Sequence, residues 1–105
     1  MAADGEIFVG GQGGISRRSP AGEWSSLGAE DGLPDSGVET LEIGPGGDLW
    51  IGTSDGAARR RSDGALDVWG LADGLGDVNV VSIGVGDGAV WFGHLFHGLS
   101  RMSRR

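Results

Sequence analysis

In three segments of this chain large apolar residues stand in consecutive triplets, neither alternating with polar ones nor recurring at helical spacing. Ile7-Phe8-Val9, Leu49-Trp50-Ile51 and Val90-Trp91-Phe92 are the three cases. Successive side chains of a strand point to opposite faces, so such a run needs both faces covered. A strand with one wet face would alternate. Glycine closes each triplet, at Gly10, Gly52 and Gly93, and reads as a position where bulk is excluded. No segment escapes Gly or Pro long enough to show a 3.6-residue period, so long helices are not expected.

The triplets belong to a repeat. Gly14, Gly56 and Gly98 are 42 residues apart, as are Arg17, Arg59 and Arg101. "DGLPDSGV" from Asp31 returns 42 residues later as "DGLGDVNV" from Asp73. The middle unit reads as four strands: a over 38–43, b over 48–53, c over 57–61 and d over 65–69. Its turns carry Gly beside Asp, Pro or a second Gly, which permits tight reversal. Four short strands every forty-odd residues predict an all-β fold of β-propeller blades, each of four antiparallel strands.

The stretch "GLPDSGVETLEIGPGGDLWIGTSDGAARR", Gly32 to Arg60, resembles the two-component regulator propeller repeat. The third copy departs from that pattern, with Gly76 in place of Pro34 and His94 in place of Thr53. The first copy keeps only the second half, with Phe8 where Trp50 stands. The resemblance implies blades like those of large extracytoplasmic sensor propellers; related propellers include streptogramin lyases. It implies no particular ligand, because function is grafted onto such folds.

Residues 1–105 read as a single repeat domain: b-c-d in 5–27, a-b-c-d in 38–69 and a-b-c in 78–104. That is about 2.5 repeats, whereas rings close with roughly four to eight blades. Blade faces would stay bare at both ends, so the chain is either an excerpt of a longer propeller or completed by homo-oligomerisation, and the second is expected. Trp50 and Trp91 are expected in the core between blades, while Trp24 and Trp69, toward outer strands, are freer to stack on a sugar.

Composition narrows the classes. Among the 105 residues are 23 glycines, about three times the usual share, but they are interspersed with Trp, Phe, Ile and Val as in a folded chain. Cysteine is absent, which excludes disulfides and thiolate metal sites. The net charge of −7 argues against a nucleic-acid partner. The arginines on strand c, Arg17–Arg18 and Arg59–Arg61, are expected to protect outer edges. No apolar stretch approaches the ~20 residues that cross a bilayer, so no membrane partner is expected. "MAADGEIF" shows no secretory pattern, and extracytoplasmic placement would follow only for a piece of a sensor.

Candidate chemistry lies where d–a and b–c connections gather, at the mouth of a propeller channel. Asp31, Asp35, Asp55, Asp73, Asp77, His94 and His97 are the candidate ligand-binding residues there. The acidic positions suit a polyol or a hard cation, or they stabilise their own turns. "HLFH", His94 to His97, lengthens the third b–c turn and could hold a metal or supply a base. No nucleophile stands beside a base, so no catalytic residue, metal or cofactor is assigned. The expected function is a non-enzymatic binding or scaffold module that self-assembles, with a small molecule or glycan as possible ligand. Alternatives are a lyase-like enzyme using His94 and His97 with a divalent metal, or a structural repeat whose only activity is self-assembly.

Overall fold

Three antiparallel sheets follow one another along the chain, and within each sheet every strand is hydrogen-bonded to its sequence neighbours. The computed structural model describes residues 2–3, 5–33, 37–44, 47–70, 79–86, 88–94 and 98–103. The first sheet contains β1 (Ala2–Ala3), β2 (Glu6–Gly11), β3 (Gly14–Arg18) and β4 (Trp24–Leu27). The middle sheet contains β5 (Val38–Ile43), β6 (Leu49–Thr53), β7 (Gly56–Arg60) and β8 (Leu66–Trp69). The third contains β9 (Val80–Gly86), β10 (Ala89–His94) and β11 (Gly98–Ser103). No α-helix occurs among the described residues; one 3₁₀ turn covers Ala29–Asp31. The two-residue β1 is not legible in the sequence, because two alanines carry no pattern.

Turn chemistry repeats with the strands. Gly14, Gly56 and Gly98, which open β3, β7 and β11, have φ of 113°, 131° and 79°, a region where a Cβ is penalised. At Gly14 space forbids it as well: a Cβ would lie 2.4 Å from the Leu27 carbonyl oxygen. Thr53 closes the middle b–c turn, donating from Oγ1 to the Gly56 carbonyl at 2.8 Å and accepting from the Asp55 N–H at 3.1 Å. Pairing of β5 with β6 and of β9 with β10 slips by one residue at the same end, near Glu39 and Val81. These bulges bend both inner strands alike.

The sheets pack face to face through two joints of one design. Each sheet has a forward face, carrying the middle residue of its triplet, and a rear face carrying the other two. At the first joint Phe8 and Ile15 of the forward face meet Leu49, Ile51 and Ala58 of the next rear face. At the second, Trp50 and Ala57 meet Val80, Val90 and Phe92. Sealing side chains of this size stabilises by about 1.5–3 kcal/mol each. The triplet glycines permit the approach. A Cβ on Gly10 would come within 2.7 Å of Val38 Cγ1, and one on Gly52 within 2.7 Å of Val80 Cγ1.

The end sheets lack one joint each. Ile7 and Val9, on the rear face of the first sheet, are 38% and 54% exposed, while their counterparts Leu49 and Ile51 are 1% and 0%. Trp91, expected in the core, is 44% exposed on the forward face of the third sheet. Its local pattern matches that of Trp50, but among the described residues no further sheet lies against it.

Candidate functional site

Among the described residues, the first two b–c turns and the d–a connection after β4 lie at one end of the sheets. The 3₁₀ turn after β4 is closed by Asp31, whose Oδ2 accepts the Gly28 N–H at 2.9 Å. Leu33 then plugs the first joint and is 4% exposed, so the Leu of "DGLPD" is a core residue inside a phrase that reads as loop. Asp55 is exposed at the tip of the middle b–c turn. Beside it Ser54 donates to Glu39 Oε2 at 3.2 Å, tying the turn to the bulged start of β5. The structure thus puts Asp31 and Asp55 at the expected end without joining them. Asp35, Asp73, Asp77 and His97 lie outside the described residues. Among the described residues no group of three His, Cys, Asp or Glu is placed to hold a metal ion.

His94 occupies the position of Thr53, but where Thr53 bonds within its own turn, the His94 ring bonds to Asn79, just before β9, and to Ser100 on β11. It is 7% exposed. Nδ1 lies 3.2 Å from the Asn79 carbonyl oxygen, which only accepts, so Nδ1 carries a proton. Nε2 lies 2.7 Å from Ser100 Oγ and, in the neutral ring, accepts that hydroxyl. Both nitrogens are therefore engaged. A metal or a substrate proton would have to displace Ser100 first.

The middle sheet carries a ladder of rings and arginines. Trp50 and Trp69 stack at 5.5 Å with 18° between planes, and Phe92 meets Trp50 edge-on at 6.2 Å. Arg59 lies over both indoles, 5.4 Å and 5.9 Å from their centroids. Trp69 is thus part of the joint, and Trp24, 61% exposed, is the freer ring. Asp67 anchors the ladder: its Oδ2 accepts from Arg59 Nη2 at 2.7 Å and Arg61 Nε at 2.8 Å. Hydrogen bonds from Arg61 and then Arg59 hold the Asp67 carboxyl below the usual carboxylate range. In the first sheet the matching Arg17 pairs with Glu6. Arg101 lies 5.7 Å over Trp91, but Ala89 stands where Asp48 and Glu6 stand. Arg59 and Arg101 thus lie over rings, while Arg17 and Arg61 pair with carboxylates.

A cleft of about 310 Å³ opens between the first and middle sheets, lined by Phe8, Gly10, Val38, Glu39 and Thr40 among others. It adjoins the inner edge of β2, where β1 pairs only with Ile7 and Glu6.

No protein-family model matches the chain, and no curated protein matches it. Among solved structures, a streptogramin B lyase matches with a TM-score of 0.64 and 22% identity, over 98% of this chain. The chain spans 38% of the length of that structure. The likeness extends to the fold: three consecutive antiparallel sheets packed as blades of a β-propeller.

Proposed function

We propose that this chain is a non-enzymatic β-propeller module that assembles with further copies and presents its loop end to a glycan or other small polar ligand. The observation that carries the reading is the pair of uncovered apolar faces on the end sheets. A contiguous apolar surface of that kind marks an interaction site. We assign the blades to the two-component regulator type on the phrase from Gly32 to Arg60. Asp31 and Asp55, with Asp35, Asp73, Asp77 and His97, are the residues through which the loop end would meet a ligand; His94 ties β10 to Asn79 and to Ser100 of β11.

The test is particle mass in solution over graded concentrations, followed by a glycan and small-molecule panel on the largest species. A particle larger than one chain that retains a panel member is expected. A folded chain that stays monomeric at every concentration overturns the reading. An assembled particle that retains nothing leaves self-assembly as the whole activity.

The rival is a lyase-like enzyme with a divalent metal on His94 and His97. The streptogramin B lyase neighbour shares the fold and favours neither reading; the two hydrogen bonds on the His94 ring weigh against the rival. Metal uptake by the His94→Ala/His97→Ala double variant separates the two. Unchanged uptake removes the rival, and uptake present only in the parent chain favours it.

A further inference from the structure

We propose that the forward face of the β9–β11 sheet docks on the rear face of the β1–β4 sheet of a second copy, head to tail. The contact repeats between molecules the joint made twice within one. The inference rests on the self-assembly reading and deepens it by naming the two surfaces and their polarity.

The repeat itself identifies the occupant. Trp91 stands where Phe8 and Trp50 stand, and Leu99 where Ile15 and Ala57 stand. Those four are 0–4% exposed because a rear face covers them, whereas Trp91 and Leu99 are 44% and 70% exposed. On the other side, Ile7 matches Leu49 and Val90, and Val9 matches Ile51 and Phe92. All four matches are at most 1% exposed beneath a forward face. The three described sheets therefore present one uncovered forward face and one uncovered rear face, the two halves of a joint made twice between them.

Two details fit. At the first joint Arg60 reaches across to lie 5.7 Å over the Phe8 ring. Forty-two residues earlier, Arg18 holds the same place on the bare rear face, positioned to cross onto Trp91 of the neighbouring copy. Trp24, the counterpart of Leu66, widens that face with a ring that is 61% exposed. With β1 only two residues long, β2, β3 and β4 carry the contact. The two faces differ, so the contact is heterologous and propagates toward a ring instead of stopping at a two-fold dimer.

Complementary blocking tests this. Trp91→Glu spoils only the forward face and Val9→Arg only the rear face. The parent chain should form particles larger than a dimer. Each variant alone should be monomeric, with its dissociation constant raised at least about 30-fold, as for a buried interface Trp. An equimolar mixture should give a heterodimer and nothing larger, because each partner keeps one intact face. Circular dichroism and an unfolding midpoint near the parent's verify folding, and Leu99→Ser with Ile7→Ser is the second pair if either variant is unfolded. A variant that alone keeps the parent's particle size overturns these surfaces while leaving self-assembly standing. A monomeric parent overturns both and points to coverage by some other blade.

Discussion

The middle sheet and the end sheets are written in one phrase and meet different surroundings. Leu49-Trp50-Ile51 is sealed on both sides, with none of the three more than 1% exposed. Ile7-Phe8-Val9 and Val90-Trp91-Phe92 are each sealed on one side, with Phe8 at 4% and both Val90 and Phe92 at 0%. The difference is one of neighbours rather than of local structure, since all three triplets pair antiparallel within their own sheets. Stability in such stacks is a sum of unit and interface terms, so an end unit contributes only one interface. The uncovered faces are the counterparts of those that the middle sheet has sealed.

The largest test of this contrast replaces the matched tryptophans. Trp50→Ala empties a site closed by Trp69, Phe92 and Arg59 and should cost about 3–5 kcal/mol. Trp91→Ala removes a half-exposed ring and should cost about 1 kcal/mol in dilute solution. Chemical denaturation at low protein concentration measures both. Equal losses would mean that Trp91 is buried in solution even when dilute, and the contrast between sheets would fail.

Much of the fold was legible because the code is local. Consecutive apolar triplets require cover on both faces, and Gly beside Asp marks the reversals; together these define four-stranded antiparallel sheets. The number of neighbours is not local. Trp50 and Trp91 sit in nearly the same phrase, and only the stack decides which is sealed. Arg59 reads as an edge charge because sequence shows its charge and not the two indoles beneath it. His94 is visible as a departure from Thr53, but its chemistry depends on Asn79 and Ser100, brought together by strand pairing. Leu33 is hidden inside a loop-like phrase, and its pairing with the core is set by the 3₁₀ turn that Asp31 closes.

A smaller effect is expected at the glycines that close the triplets. A Cβ on Gly52 would lie 2.6 Å from Thr40 Cγ2 and 3.0 Å from the Val80 carbonyl oxygen. Backbone on the far side of a packed joint cannot retreat cheaply, so Gly52→Ala should lose about 1–3 kcal/mol. On Gly93 the nearest clash is with Ser82 Oγ at 2.1 Å, and Ser82 is exposed. That hydroxyl can rotate into solvent, and Gly93→Ala should stay within about 0.5 kcal/mol. Thermal unfolding of the two variants side by side reads the difference. A Gly93→Ala loss as large as that of Gly52→Ala would mean the forward face of the third sheet is already occupied.

The smallest effect concerns the carboxylate that braces the middle sheet alone. Asp67 holds Arg59 and Arg61 together, while Ser25 stands at its place in the first sheet. The folded carboxyl sits below its usual range because Arg61 and Arg59 donate to it, whereas in the unfolded chain it returns to about 3.9. Between those values the unfolded chain binds more protons, so stability falls as pH falls. The contribution is present above about pH 4 and is lost as pH drops through the lowered folded value. Asp67→Asn should therefore cost about 1 kcal/mol or less near neutrality, as befits a pair partly open to water. The gap between variant and parent should close on acidification. Denaturation midpoints of the two proteins across that pH range carry the test, and a gap that stays constant in acid would show that Asp67 braces the sheet by shape rather than by charge.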